Sequence, residues 1–360
     1  MSLLRPTLPE KENGTYFILP KAGEPPQVGA EADAWQMVAK INPAYLEFSK
    51  TARTTHKSFG LFASVWGGGG LGFLGMLPMV ACSWMEVDKN GWDLPIIGTL
   101  ILAICLWFAI GVPLRLLHRP HSPILLSRRL RRFYQWQGKK GGWTALDYDQ
   151  VVPYVTRVTA VSPTGTVTSF FLDVGVLKPG TRKVTRFIRL SDPAIAVLPP
   201  AELWEFVRAY MDGPSEKVPP IEYRIPEGQE HGIHARMDRD LNPGMVDKEH
   251  RLKPGMFYKV YFASEAMVGY WSDRLIPWME RRAPRPPMPA ELAEAMHWEG
   301  ENPYRMNPPS DIEQKAIDGQ LPHMNRRWFI GMLLSTLMWG GTFVGMVAVG
   351  WWMAFDPSLG

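Results

Sequence analysis

Cysteine is almost missing: the 360 residues hold two, Cys82 and Cys105. That excludes a disulfide framework and a thiolate zinc cluster. An excess of one charge is missing as well. Lys and Arg number 39 against 35 Asp and Glu, a net charge of +4, too balanced to point to nucleic acid. The sequence has no GxSxG elbow, no Cys-His nucleophile pair, no Walker lysine and no HExxH zinc helix. No repeat of fixed period is visible either. Trp (15), Gly (33) and Pro (33) are plentiful, and hydrophobic residues make up 46%, which excludes a disordered chain. The mean hydropathy of −0.12 conceals a split between long apolar runs and a polar, proline-rich remainder.

Three runs satisfy the length test for a spanning helix, roughly 20 apolar residues. They are Phe59 to Trp84, Leu94 to Leu117 and Trp328 to Phe355, none with a charge in its central portion. A central charge would cost about 2.5–3.5 kcal/mol on the insertion scale. The first run is no signal peptide, because a long polar segment precedes it. Glu86, Asp88 and Asp93 oppose a single Lys89 between the first two runs. The segment after the second holds Arg115, Arg119, Arg128, Arg129, Arg131, Arg132, Lys139 and Lys140. Lys50, Arg53 and Lys57 precede the first, and Arg326 and Arg327 the third. The positive-inside rule therefore places the N-terminus and the middle region in the cytoplasm, with the C-terminus outside. Trp84, Trp92, Trp328, Trp351 and Trp352 fall where indoles line a membrane interface.

Glycines set the expected helix packing. Gly68 and Gly72, inside a GGGG run, and the Gly341/Gly345 GxxxG pair would let backbones approach closely. A phosphate loop is the poorer reading of GGGG, since no GKS or GKT follows. Cys82 and Cys105 read as lone buried thiols.

Outside the membrane, residues 1–58 read as a flexible N-terminal arm, with short helices from Ala34 to Lys57 broken at Asn42-Pro43. From Ser122 the pattern changes to short strands rich in Val, Thr, Phe and Tyr, parted by Gly and Pro turns. The helix PPAELWEFVRAYMDGP follows, with prolines at its start and Gly213-Pro214 at its stop. This order over 122–213 predicts an antiparallel β-roll of pleckstrin-homology type, closed by one helix. Residues 214–325 read as an irregular extension, helical and aromatic over GMFYKVYFASEAMVGYWSDRLIPWMERR, proline-punctuated afterwards, with a short helix near Pro289 to Trp298. The fold class is thus an α+β membrane protein with three transmembrane helices and a cytoplasmic roll.

Short motifs carry a resemblance. FYQWQG…WTALDYDQVVPYV, LWEFVRAYMDGP and RRAPRPPMPAEL…ENPYRM resemble a family of proteobacterial inner-membrane proteins of no assigned activity. In that family a helix pair precedes a domain with a basic-aromatic strand, a W-x-x-V strand, a W-E-F-I/V-R-x-Y-M helix and a late proline-rich motif. WTALDYDQVV stands here in place of the compact W-x-x-V. The resemblance implies a setting beside type VI secretion effectors and their immunity or adaptor partners, and it brings no catalytic residues.

The best metal-ligand set is His231, His234 and His250 with Asp238, Asp240, Asp247 and Glu249. Gly232 and the dense charge make a solvated loop the stronger reading. Asp147, Asp149 and Asp173 lie on expected strands, where solvent-facing acids are commoner than catalytic pairs. The cluster Arg128, Arg129, Arg131, Arg132, Lys139 and Lys140 is the strongest electrostatic feature, suited to anionic headgroups or a protein partner. The sequence reads as a non-enzymatic inner-membrane protein acting through protein contacts, an immunity or accessory component of a secreted-toxin system, with no cofactor. The alternative is a membrane-bound metal-dependent enzyme using the His231 to His250 segment.

Overall fold

A computed structural model describes residues 15–48, 74–85, 92–111, 114–115, 123–162, 165–178, 184–222, 234–235, 237–238, 244–282 and 284–355. They fall into two compact units, one of Met1–Ala52, Pro120–Arg224 and Arg285–Pro308, the other of Arg53–Arg119, Ile225–Pro284 and Pro309–Gly360.

The first unit carries β1 (Thr15–Ile18), β2 (Val38–Ile41), β3 (Tyr45–Phe48), β4 (Ile124–Ser127), β5 (Arg132–Trp136) and β6 (Trp143–Asp147). β7 (Val152–Ser162), β8 (Gly165–Leu177) and β9 (Val184–Arg189) complete the strands. Two sheets form, ordered β1-β7-β8-β9 and β2-β3-β4-β5-β6, and every pair is antiparallel. Helix α3 (Leu198–Asp212) packs on the β7/β8 pair. Its Leu203, Trp204, Phe206, Val207 and Tyr210 are buried, the stripe that 3.6-residue periodicity requires. Trp204 lies against Tyr148 (5.9 Å between ring centroids), and Tyr148 against Phe133 (6.1 Å). Its Nε1 donates to the Pro20 carbonyl at 2.7 Å.

The strand-then-helix order expected over 122–213 is present as β4 to α3, in two open antiparallel sheets. Residues 15–48 differ from the expected flexible arm and short helices. They supply β1, β2 and β3, and Leu19, Ala34 and Val38 enter the main core. Asn42-Pro43 makes a tight turn there: Asn42 Oδ1 accepts from the Ala44 and Tyr45 backbone N–H groups, both at 2.9 Å. β3 then pairs with β4, Phe48 opposite Ile124, although the chain makes a long apolar excursion between them.

Residues 285–308 dock on the same unit. Helix α5 (Ala290–Met296) buries Leu292 against Leu125 and Tyr134. Trp143 Nε1 donates to the Pro287 carbonyl at 2.7 Å, and Asn302 Nδ2 to the Ile41 carbonyl at 2.8 Å. Met306 bridges Ile221 in parallel. β4 is therefore covered on both faces, Ile124 and Leu126 in the main core and Leu125 under the strap. That is why its sequence, ILLS, does not alternate.

The second unit holds α1 (Gly75–Met85), α2 (Asp93–Leu106, continued by a π-turn to Gly111), α4 (Met256–Arg282), α6 (Asp311–Ile317) and α7 (Pro322–Phe355). Among the described residues two helices, Asp93–Gly111 and Pro322–Trp352, are long and apolar enough to cross a membrane, with mean hydropathies of 2.4 and 1.7. Only 11% and 6% of these stretches is buried, whereas the core helix of a soluble protein hides its apolar surface. The first expected span, Phe59 to Trp84, is represented by the 11-residue α1; residues 59–73 lie outside the described residues. α1 and α2 run antiparallel. Trp84 meets Trp92 edge-on at 6.0 Å, and Val80 fills the space beside Gly98.

Of the expected packing glycines, Gly341 and Gly345 are among the described residues and make no close contact with them. Gly68 and Gly72 lie outside the described residues, and a Cβ at Gly341 or Gly345 would meet nothing within 4 Å among those described. Close approach falls at Gly98 and at Gly331, where a Cβ would stand 3.0 Å from that of Ala266. Neither Cys82 nor Cys105 is in a disulfide.

Candidate functional site

The arginine cluster begins in the turn from β4 to β5, whose Arg131 holds a positive φ of 49°. Two of its guanidiniums reach the C-terminal end of α3, where unpaired carbonyls concentrate negative charge. Arg128 donates to the Gly213 carbonyl and the Tyr304 hydroxyl, both at 2.6 Å, and lies over the Tyr210 ring. Arg131 donates to both Asp149 oxygens (2.8 and 2.6 Å) and to Asp212 (2.9 Å), above the Tyr148 ring. Tyr148 donates its hydroxyl to the other Asp212 oxygen at 2.7 Å.

The electrostatic consequences follow from these contacts. The hydrogen bond from Arg131 holds the Asp149 carboxyl below its ordinary value. Burial, then the bond to Asp212, pushes the Tyr148 phenol up. Arg132 pairs with Asp147 at 2.6 Å and stands 3.8 Å from Glu291. Arg129 is exposed and lies 6.0 Å from the Trp298 ring. Lys139 and Lys140 are exposed in the β5–β6 turn, whose Gly138 and Gly142 take the positive φ values that close it. The six cations thus divide. Arg128 and Arg131 tie the β4–β5 turn to the end of α3, Arg132 pairs across β5 and β6 with Asp147, and Arg129, Lys139 and Lys140 face outward.

The strand acids are occupied in the same way. Asp147 pairs with Arg132 across β5 and β6, and Asp149 serves the clasp through Arg131. Asp173 is fully buried on β8 and accepts from Arg189 at 2.9 and 3.1 Å and from Thr156 at 2.7 Å. Each of these three acids has a guanidinium partner.

The histidine segment is assembled differently from the expected loop. Asp238 is fully buried in the second unit. It stands 3.1 Å from His250 Nδ1, receives the Trp328 indole N–H at 2.8 Å and pairs with Arg327. His234 stacks on Trp328 at 6.0 Å and lies within 3.3 Å of both Asn325 and Arg274. His231 and Asp240 lie outside the described residues; Asp247 and Glu249 are exposed. Guanidiniums take the positions beside Asp238 and His234 where a cation would have to sit, so like charge opposes metal there. No group of three or more His, Cys, Asp or Glu that could hold a metal occurs among the described residues.

Trp328, expected near a membrane interface, turns its indole into the protein: it is 2% exposed, sunk in a cluster with Phe262, Tyr270 and Met324. The sequence carried little sign of Tyr304 or Asp212 as clasp partners. An acid at the end of a helix facing a run of arginines was the available signal. No family model, curated protein or solved structure matches the chain.

Proposed function

We propose that this chain is a non-enzymatic, multi-pass bacterial inner-membrane protein whose two-sheet body works in the cytoplasm through protein contacts. The observation that carries this reading is the pairing of Phe48 with Ile124. The chain leaves β3, runs through the antiparallel apolar pair α1 and α2, and returns to the adjacent strand. Both ends of the excursion are therefore held on one side of any bilayer it enters, which requires an even number of crossings. A hairpin of two spans, the first within the apolar run Phe59 to Trp84 of the sequence, fits that requirement. α7 then makes a third span and leaves the C-terminus in the periplasm. Basic residues on the body side of each run and acids between the first two support the orientation.

The antiparallel sheets with α3 against them support a pleckstrin-homology-like reading of the body. Arg129, Lys139 and Lys140 are the cations left for anionic headgroups or an acidic partner. The role as an immunity or accessory component of a type VI secreted-toxin system rests on the short motifs given above. Two tests apply. A tag at Asn90 should react with an impermeant reagent on intact cells, and one at Lys139 only after permeabilisation; the reverse pattern refutes the topology. Cells lacking the chain should die under toxin challenge, or fail to secrete the effector, and recover on complementation. Unchanged survival and secretion would remove the toxin-system role.

A further inference from the structure

We infer that the β5–β6 turn is a membrane-docking tip, which sets Lys139 and Lys140 against the anionic headgroups of the bilayer, while Arg129 stands at the far end of the sheet. The inference rests on reading the excursion between β3 and β4 as a membrane hairpin. Strand register carries it. Phe48 lies opposite Ile124, Ile124 opposite Gln135, and Gln135 opposite Thr144, so a single row across four strands marks one end of the sheet. The chain departs for the apolar excursion just after Phe48 and comes back just before Ile124. The β5–β6 turn projects from this same end, beyond Trp136 and Trp143, one to two strand spacings, about 5–10 Å, from β4. The β4–β5 turn with Arg129 closes the opposite end, past the row of Tyr45, Ser127, Arg132 and Asp147, about 10 Å farther along the strands.

The shorter covalent link selects the end that meets lipid. Six residues, 118–123, part the apolar run ending at Leu117 from Ile124, a reach of at most about 25 Å. At the opposite end Arg128 holds Tyr304, and 23 residues, 305–327, follow before the run that starts at Trp328. The tip is also shaped to present charge. The Gln137 N–H donates to the Gly142 carbonyl at 2.8 Å and the Gly142 N–H to the Gly138 carbonyl at 2.9 Å. Beneath it the Trp136 and Trp143 rings meet at 5.7 Å, and Trp143 Nε1 is fixed on the Pro287 carbonyl at 2.7 Å. Lys139 and Lys140 are exposed at the apex. No acid occurs from Trp136 to Trp143, and neither lysine has an ion pair among the described residues. An anionic leaflet held within this reach is an intramolecular partner at high effective concentration; an acidic protein has no such tether. Each lysine facing the leaflet favours the docked tip by about fivefold, the pair by about 25-fold.

The test uses the full chain with Cys82→Ser and Cys105→Ser, in nanodiscs of phosphatidylcholine with or without phosphatidylglycerol. A fluorophore is placed singly at Gln137→Cys in the tip, Gln150→Cys beyond the opposite end of β6, or Leu100→Cys within α2, all exposed positions. Nitroxide lipids quench from the headgroup or from the acyl chain, and aqueous iodide quenches from the water. With phosphatidylglycerol, headgroup quenching at 137 should exceed that at 150 several-fold. Lys139→Gln with Lys140→Gln should return it to the neutral-lipid level, with near-ultraviolet circular dichroism unchanged. Equal headgroup quenching at 137 and 150, or quenching at 137 that ignores the lysines, overturns the docking tip; acyl-chain quenching at 100 then leaves the span intact. A label at 137 shielded from both headgroup nitroxide and iodide would mean protein covers the tip, which also overturns it. Absence of acyl-chain quenching at 100 would instead refute the span.

Discussion

Arg189→Met removes the partner of the most deeply buried acid in the sheets. Asp173 and Arg189 are cross-strand neighbours on β8 and β9, joined by a bidentate contact of 2.9 and 3.1 Å. The carboxylate is wholly buried, and the arginine side chain is 34% exposed and lies over Phe171 at 4.0 Å. Removing one member of a buried pair costs about 3–5 kcal/mol, mostly because a charge is left buried without compensation. Water can reach the vacated arginine site, and Thr156 still donates to Asp173, so about 3 kcal/mol is expected. For a body of 150–250 residues that corresponds to about 6–12 °C in melting temperature. Asp173→Asn combined with Arg189→Met should recover about 1–2 kcal/mol of the loss, because the stranded charge is gone. Denaturant unfolding in mild detergent, followed by near-ultraviolet circular dichroism, measures both. A loss under about 0.5 kcal/mol for Arg189→Met would place the pair among exposed, screened ion pairs and refute the argument.

Two further perturbations test the body. Tyr148, Tyr154 and Tyr210 are buried, and burial pushes each phenol above its ordinary 10.0. Their stability contribution is complete below pH 10 and lost as pH rises beyond it, because the unfolded chain releases protons that the folded one retains. Stability should fall by about 1.4 kcal/mol per pH unit for each phenol, about 4 for the three together. Phenolate absorbance appearing in step with loss of near-ultraviolet dichroism checks this, and ionisation of all phenols in a folded protein contradicts it. Leu292→Ala empties a fully buried site under the strap and should cost about 2–5 kcal/mol. Limited proteolysis should then cut first within 285–308; an unchanged cleavage pattern would mean that other contacts hold the strap.

What could be read from the sequence divides along the range of the interactions. β4 to β9 announce themselves through Val, Thr and aromatic content between Gly and Pro turns. α3 does so through Pro199, Pro200 and Gly213 at its ends, and α5 through Pro289. All these signals are local. β2 and β3 carry only four residues each, and their strand state is decided by β4, far along the chain. Asn42-Pro43 breaks a helix in sequence logic but forms the hairpin turn in space. The six basic residues were visible as charge, yet Asp149, Asp212 and Tyr304, which draw Arg128 and Arg131 into a clasp, come from three other places. Trp328 reads as interfacial because it begins an apolar run. Asp238 draws its indole inward, and no spacing in the sequence links the two.

The insertion between β3 and β4 also bears on how the body can form. Closing a flexible loop of about 75 residues costs about 4 kcal/mol by the (3/2)RT ln n rule, a large share of the 5–15 kcal/mol that usually separates folded from unfolded. The pair β3–β4 is four residues long and could scarcely offset that alone. An antiparallel helix pair changes the problem, because Val80 against Gly98 and Trp84 against Trp92 turn the chain back on itself before β4 is made. The loop to be closed then shrinks to the 26 residues between Phe48 and Gly75 and the 12 between Gly111 and Ile124, which lowers the closure cost by about 0.6 kcal/mol for each halving of length. On the proposed topology, insertion of the hairpin would precede and template the five-stranded sheet. The first 48 residues would wait at the membrane for a partner strand that the apolar helices deliver.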